Sequence, residues 1–243
     1  MTESSVVAIV PARYHSSRLP GKPLADIAGR PMVEHVYRRA VQAHVDAVIV
    51  ATDDDRIVDA VERFGGLACL TRADHLTGTD RLAELAADLP CAIVVNVQGD
   101  EPLVDPAAID TLVAPLVAEP TVEMTTLCRP PAPDEDVASP HLVKVVRDLR
   151  GDALYFSRAP IPFRRGADGA GAAVHVGLYA YRRATLLRLA ALPPTPLERS
   201  ESLEQLRALE HRIPIRVLDT TYVSVAVDTP EDLERARRTV SPP

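Results

Sequence analysis

Residues 6–31 read VVAIVPARYHSSRLPGKPLADIAGRP, and this stretch decides the fold. It begins with an apolar run, Val6 to Val10, whose β-branched residues predict a buried strand. A loop rich in Pro, Gly and Arg follows, and Pro31 suits the first position of a helix. In doubly wound α/β sheets, ligands bind at the carboxyl ends of the strands. The stretch therefore predicts an α/β domain whose first loop takes part in binding.

The alternation of strand and helix continues along the chain. Further buried strands are predicted at 47–51, 67–70 and 92–97, and helices at 53–64, at 79–89 and from Pro106. Near-continuous apolar strands separated by amphipathic helices predict a mostly parallel sheet covered by helices on both faces.

The pattern changes between about residues 121 and 181, where strand-like stretches are separated by Pro- and Gly-rich loops. These stretches are 123–128, 142–147 and 174–180. We interpret this segment as a small lobe added to the sheet, within a single domain that spans residues 1–243. After it we expect helices at 182–191 and 202–210, strands at 215–218 and 223–227, and a final helix from Pro230.

Composition limits the partners of this 243-residue chain. It carries 34 acidic and 27 basic residues, a net charge of −7, so we expect no broad cationic surface for nucleic acid or for a membrane. Any polyanion must be bound locally. The apolar run near the start ends at Pro11 and is too short for a signal peptide or a membrane span, which favours a cytoplasmic protein. Its three cysteines lack CxxC spacing, and we expect free thiols.

The basic residues are 25 Arg and only two Lys, Lys22 and Lys144. Arginine replaces lysine harmlessly on a solvated surface, but not where a compact ammonium is needed, so both lysines are functional candidates. Lys144 alternates with Val143 and Val145, which places it either towards a polar cleft or in a structural salt bridge.

The first loop carries three cations, Arg13, Arg18 and Lys22, together with the hydroxyl pair Ser16 and Ser17. These side chains and the backbone N–H groups of the loop could bind a triphosphate. It is not a Walker A loop, because Pro23 follows the lysine where a Ser or Thr would bind magnesium. The alternative is a solvated basic loop.

Two acidic residues follow other predicted strands. Asp100 comes after Gly99 near the end of the 92–97 strand, and Asp228 comes just before the final helix. Carboxylates in these positions suit a divalent cation that bridges phosphates. For Asp228 the alternative is the N-cap of the helix. Two acids from distant strands and a cationic loop fit metal-assisted nucleotidyl or phosphoryl transfer.

A series of collinear blocks over nearly the whole chain resembles the 3-deoxy-manno-octulosonate (Kdo) cytidylyltransferase family, the CMP-Kdo synthetases. The blocks are PARYHSSRLPGKPLADIAGRPM, ATDDDRIVDAV, TRADHLTGTDRLAE, IVVNVQGDEPLV, LVKVVRD, ALYFSRAPIP, HVGLYAYR, SLEQLR and VDTPEDLERAR. The resemblance implies a Rossmann-like nucleotidyltransferase fold, a homodimer formed through the added lobe, and a requirement for Mg²⁺. It also implies transfer of CMP from CTP to an acidic acceptor, most simply Kdo, with release of pyrophosphate.

The resemblance also implies roles for individual residues. The implied catalytic residues are Lys22, Arg13, Asp100 and Asp228, of which Asp100 and Asp228 would bind the metal. The implied CTP-binding residues are Pro11, Ala12, Arg13, Arg18, Lys22, Thr79, Arg81 and Gln98. The implied acceptor-binding residues are Arg158, His175, Tyr179, Glu204 and Gln205.

Two residues of the acceptor group also have interpretations that rest on the sequence itself. Arg158 follows Tyr155 and Phe156 and precedes Ala159, a mostly apolar setting in which an anionic ligand would be the natural partner of the guanidinium. His175 could instead be a buried, hydrogen-bonded histidine of the core.

Two other functions remain open. Arg129, Arg164 and Arg165 of the middle segment could serve a small phosphonate acceptor such as phosphonoformate. A non-catalytic regulator that binds CTP would use the cationic loop without needing both acids.

Overall fold

The structure is a computed structural model and describes residues 2, 5–15, 18–166 and 171–240. The chain begins with a strand and a small hairpin and continues in strand–helix alternation. In order, the elements of the first half are β1 (Val6–Ala12), a 3₁₀ turn (Lys22–Leu24), β2 (Asp26–Ile27), β3 (Arg30–Pro31), α1 (Met32–Ala40), β4 (Ala47–Thr52), α2 (Asp55–Arg63), β5 (Leu67–Leu70), α3 (Gly78–Asp88), β6 (Ile93–Asn96) and α4 (Pro106–Ala118).

The second half supplies further strands and four more helices. Its elements are β7 (Met124–Arg129), β8 (Lys144–Arg147), β9 (Ala153–Ser157), β10 (Ala173–Arg182), α5 (Arg183–Ala190), α6 (Pro196–Glu201), α7 (Gln205–Glu210), β11 (Arg216–Asp219) and α8 (Pro230–Thr239). None of the helices in the part of the chain that the structure describes is both long and apolar enough to cross a membrane.

One nine-stranded sheet organises the molecule, with the main order β11-β7-β10-β6-β1-β4-β5. Six of these seven strands run in the same direction, and β10 is antiparallel to both of its neighbours. The predicted mostly parallel sheet is therefore confirmed. Alternate residues of β1 explain its continuous apolar run, because Val7 and Ile9 face one buried cluster while Ala8 and Val10 face another.

The middle segment joins the central sheet more closely than the sequence predicts. β7 and β10 are interior strands of the main sheet, and only the antiparallel pair β8 and β9 extends from β10. The boundaries 121–181 are thus too wide for a separate lobe. The physical reason is burial: β7 is buried along its whole length, as an interior strand must be. β9 was missing from the predicted strands.

Two predictions in the last third differ from the structure. The predicted helix 202–210 corresponds to α7, which begins three residues later, and the sequence reasoning missed α6, which ends at Ser202 in a left-handed conformation with φ 51°. Residues 223–227 form no strand, although their alternation resembles one. They form an extended segment along a cavity, which is lined by the alternate residues Ser224, Ala226 and Asp228.

β10 contains an irregularity that matters for the site. Val176 pairs with Leu127 and Tyr179 pairs with the next residue of β7, Thr126, so two residues of β10 are bulged out of the ladder. Gly177 lies in this bulge, and its carbonyl accepts a hydrogen bond from the Gln98 side chain at 3.5 Å.

Candidate active site

The loop after β1 is closed on itself and lines a cavity of about 380 Å³. Gly21 adopts φ 68°, which favours glycine, and its N–H donates to the Tyr14 carbonyl at 3.0 Å. The Tyr14 ring lies under the Arg56 guanidinium of α2, with 3.4 Å to the ring centroid. These contacts fix the place of Lys22. Ser16 and Ser17, the predicted hydroxyl pair, lie outside the described residues.

Lys22 lies between the two predicted metal-site acids. Its Nζ is 2.7 Å from Oδ2 of Asp100 and 3.1 Å from Oδ1 of Asp228, and an Arg18 Nη is 3.2 Å from the same Asp228 oxygen. Burial alone would lower the pKa of the Lys22 ammonium, but the two carboxylates outweigh it and raise that pKa. Lys22 is therefore a firmly charged cation at the centre of the site.

Backbone contacts bring the two acids together from distant parts of the chain. A Cβ on Gly99 would lie 2.4 Å from the Pro11 carbonyl oxygen, so only glycine allows the loop after β6 to approach the end of β1. The Val227 N–H donates to the Asp100 carbonyl at 2.9 Å. The N-cap of α8 is Thr229, not Asp228. The alternative for Asp228 as a helix cap is thus wrong, and its carboxylate faces the cations.

The two carboxylates fit a hard divalent cation such as Mg²⁺, because both reach a single cationic atom and both are partly open to solvent. Within residues 2, 5–15, 18–166 and 171–240, no group of three or more His, Cys, Asp or Glu side chains could hold a metal. The protein could thus supply two ligands, and phosphate oxygens and water would supply the others.

Glu101, next to Asp100, is a residue that the sequence reasoning gave no role. It is only 5% exposed and accepts hydrogen bonds from the hydroxyls of Tyr222, at 2.6 Å, and Ser224. Burial raises the pKa of its carboxyl group. Glu101 therefore links the segment before Asp228, through Tyr222 and Ser224, to the loop that carries Asp100. The one available signal was its place in the QGDEP motif.

A second cavity of about 590 Å³ adjoins the first, and the residues Gly78, Gln98, Asp100 and Asp228 line both. Four of the predicted acceptor-binding residues, Arg158, Tyr179, Glu204 and Gln205, line this second cavity. Thr79, predicted for the cytidine, also lies here, as do Asn96 and Tyr181, which the sequence reasoning did not single out. The Tyr181 side chain hydrogen bonds to Thr79 and to Asn96.

His175 does not line either cavity among the described residues. Its Nε2 lies 2.9 Å from the Thr126 hydroxyl, and its ring packs against Phe156 and Tyr179. Burial lowers the pKa of His175 to about 3. It is thus a neutral, hydrogen-bonded histidine behind Tyr179, and this arrangement matches the core alternative.

Arg81 differs most from its predicted place. It is fully buried in α3, where Nη2 donates to Asp53 at 2.8 Å and Nη1 donates to the Thr71 hydroxyl. The direct contact with cytidine that the resemblance implied does not fit this geometry, because the guanidinium is sealed from both cavities.

The setting of Arg158 also corrects an argument from the sequence. Its guanidinium donates to the backbone carbonyls of Glu201, at 2.7 Å, Pro140, at 2.9 Å, and Ser202, at 3.3 Å. The neighbourhood is therefore polar, although the flanking residues are apolar. Lys144 likewise does not face an open cleft and forms no ion pair within the described part of the chain: it is fully buried, and its ammonium donates to backbone carbonyls.

The arginines considered for a phosphonate acceptor lie elsewhere. Arg129 is paired with Glu135 at 2.5 Å and lines a different cavity with Cys128 and Arg147. Arg164 and Arg165 are exposed.

Comparison with known proteins gives the family. The Cytidylyltransferase family profile matches residues 7–215. The 3-deoxy-manno-octulosonate cytidylyltransferase of Syntrophotalea carbinolica is 54% identical over 241 residues, covering 95% of this chain and 96% of that protein. The protein of the same name from Myxococcus xanthus is 56% identical, covering 97% and 96%. The chain belongs to the 3-deoxy-manno-octulosonate cytidylyltransferase family.

A solved member of this family has nearly the same fold. The structure of CMP:2-keto-3-deoxy-manno-octonic acid synthetase complexed with CTP matches with a TM-score of 0.93 and 48% identity, covering 97% of this chain and 98% of that one. A cytidylyltransferase from Leptospira borgpetersenii matches with a TM-score of 0.64 at 17% identity, covering 96% and 85%, which shows the shared fold alone. The family assignment and the nucleotidyltransferase fold are thus confirmed.

Proposed function

We propose that this chain transfers CMP from CTP to 3-deoxy-manno-octulosonate and releases pyrophosphate. One observation carries the proposal: the cationic first cavity and the larger second cavity share Asp100 and Asp228. A triphosphate in the first cavity and an acceptor in the second would meet at these carboxylates. The family relatives are named for this reaction, and a 48% identical structure contains CTP.

In the proposed reaction the first cavity binds the triphosphate. The acceptor oxygen must approach a phosphorus surrounded by anionic oxygens, so this charge has to be neutralised and the two reactants aligned. Arg13 and Arg18 line the cavity and carry permanent positive charge. Lys22 adds a compact ammonium that can contact several phosphate oxygens.

We propose that Asp100 and Asp228 bind Mg²⁺ in the working enzyme. Bound there, the metal would neutralise phosphate charge and orient the phosphates. Lys22 would then exchange carboxylate partners for phosphate oxygens, since its ammonium lies within 3.1 Å of both acids.

The acceptor end would use the second cavity, where Arg158 offers a cation near Gln205 and Tyr179. An acceptor with a carboxylate and several hydroxyls suits this mixture of donors and acceptors. Arg129 lies in another cavity, so a small phosphonate has less support here than the sequence gave it.

The proposed function is tested by pyrophosphate release from CTP and Mg²⁺ with a single acceptor present, either Kdo or phosphonoformate. We expect signal with Kdo and background with phosphonoformate. Pyrophosphate release with phosphonoformate but not with Kdo would show that phosphonoformate is the acceptor. CTP binding without release on either acceptor would support the non-catalytic regulator instead.

We propose that the chain acts in the cytoplasm as a homodimer joined through the middle segment. The support is apolar exposure on the part that extends from the sheet, where Leu149, Leu154 and Phe163 are 107%, 62% and 89% exposed. Large apolar side chains exposed on one segment of a protein are typical of an interface.

A further inference from the structure

Lys144, the second of the two lysines, lies behind the acceptor end of the site. It is fully buried in β8, and its ammonium donates to the backbone carbonyls of Ser139, at 3.0 Å, Leu142, at 2.6 Å, and Arg158. An ammonium has three N–H donors, and all three are used on carbonyl oxygens. A planar guanidinium could not direct three donors to three oxygens converging on one point, which gives a reason for lysine in an arginine-rich chain.

Lys144 and Arg158 bind the same turn from two sides. The turn 139–142 is closed by a hydrogen bond from the Leu142 N–H to the Ser139 carbonyl at 3.3 Å. Lys144 binds the first and last carbonyls of this turn, and the Arg158 guanidinium binds the Pro140 carbonyl between them. The position of the guanidinium therefore depends on the turn, and the turn depends on Lys144.

Glu201 at the end of α6 completes the support. Its carboxylate accepts hydrogen bonds from the Arg158 N–H at 2.9 Å and from the Ser157 hydroxyl at 2.6 Å. The backbone of Arg158 is thus held at its carbonyl by Lys144 and at its N–H by Glu201. Three of the five guanidinium N–H donors bind carbonyls. Because Arg158 also lines the second cavity, we expect the other two donors to serve a ligand there.

We propose that Lys144 and Glu201 are positioning residues that fix Arg158 for an anionic group of the acceptor. The proposal rests on the proposed function in that the second cavity receives the acceptor. Neither side chain lines that cavity, so both act through Arg158. A guanidinium held at several points loses little conformational freedom when the acceptor binds. Its fixed orientation also selects among anionic acceptors by geometry as well as by charge.

The test compares the variants Lys144→Met and Glu201→Gln with the wild type in steady-state kinetics with Kdo and CTP. We expect the KM for the acceptor to rise about tenfold or more, because a displaced guanidinium loses alignment. The KM for CTP should change by less than about twofold, since the first cavity is built from other loops. The matched control is Arg147→Met, which removes a cation of the same strand that pairs with Asp219 instead.

Hydrogen exchange of the variants without any acceptor gives a second readout. Peptides covering 139–143 and 155–160 should exchange faster in Lys144→Met, whereas 93–101 should not change. An unchanged acceptor KM, or equal increases in both KM values, would overturn the proposal. Should Lys144→Met not fold, the same comparison of the two KM values in Glu201→Gln and Lys144→Arg tests the proposal. A wild type inactive on Kdo would refute the proposed function, but the exchange comparison would still decide the positioning role.

Discussion

At the scale of single residues, Lys22 gives the sharpest prediction. Replacing it by arginine keeps the charge but substitutes a planar fork for a compact ammonium between two carboxylates. We expect Lys22→Arg to lower kcat/KM by about a hundredfold, through misalignment of the phosphates. Arg235→Lys, at an exposed ion pair on α8, is the control and should have no effect. Wild-type kinetics for Lys22→Arg would remove the argument for lysine at this position.

Asp100 gives a second prediction at this scale. Asp100→Asn preserves shape but removes a charge that the proposed metal site needs. We expect turnover to fall by about a thousandfold or more. The melting temperature should stay close to that of the wild type, because the Val227 N–H bonds the backbone of Asp100 and because Lys22 keeps Asp228 as a carboxylate partner. Near-normal rates at saturating Mg²⁺ would contradict the metal assignment. The control is Asp110→Asn, on α4, where the carboxylate pairs with the exposed His44.

His175 links a pKa to stability. Its pKa is lowered to about 3 by burial, against about 6.5 in the unfolded chain. Between these values the unfolded chain binds the proton and the folded chain does not, so His175 makes the free energy of unfolding fall as the pH drops from 6.5 towards 3. His175→Gln lacks this contribution. In urea unfolding at pH 7 and pH 4.5, the wild type should lose more stability than the variant, and equal losses would refute this origin.

The same scale shows where sequence reasoning succeeds and fails. Arg18, Lys22, Asp100 and Asp228 could be brought together from the sequence, because each follows a strand or precedes a helix at one edge of the sheet. Arg158 and Lys144 could not be interpreted correctly, since their partners are backbone carbonyls, which leave no mark in the sequence. Arg81 was misplaced because its partners, Asp53 and Thr71, are brought to it only by the folded sheet.

At the scale of elements, the contact between the β6 loop and the end of β1 gives a further prediction. Gly99→Ala would place a methyl group against the Pro11 carbonyl and force the two strand ends apart. We expect a loss of about 1–3 kcal/mol of stability. Activity should fall as well, because Asp100 and the first loop would separate. Gly166→Ala, where nothing lies within 4 Å of the added Cβ, is the matched control. Unchanged melting and rates in Gly99→Ala would contradict the close contact.

Elements with a strong period were predictable, and elements defined by their partners were not. Strands such as β4 and helices such as α4 follow from apolar patterns and a proline or acidic start. Residues 223–227 alternate like a strand, but alternation records which side chains face inward and not whether the backbone is paired. The sequence reasoning missed α6 and began α7 three residues early, because the two helices are separated at Ser202 by a positive φ that nothing local in the sequence demands.

At the scale of the whole molecule, the apolar side chains exposed around β8 and β9, Leu149, Leu154 and Phe163, give the last prediction. Leu149→Asp combined with Phe163→Asp should convert a homodimer to a monomer in size-exclusion chromatography with light scattering, because charged side chains oppose burial at an interface. Val117→Asp, at an exposed residue of α4, is the control and should stay dimeric. A monomeric wild type, or a double variant that stays dimeric, would contradict the interface.

The predicted mostly parallel sheet was confirmed as a whole, because long-range order follows from a few rules of strand connection. The reversed strand β10 was harder to predict, since its direction is set by pairing with β6 and β7, both of which are distant from it in sequence.

The bulge in β10 has a consequence for how this strand can change in length. Two residues are inserted, an even number, so the alternation of faces is preserved and His175, Gly177 and Tyr179 point the same way. A single inserted or deleted residue would reverse the faces of the strand before the bulge, so that the His175 side chain would lie on the opposite face of the sheet. Insertions and deletions here are therefore tolerated in pairs, and variation among related chains at this position should follow that parity.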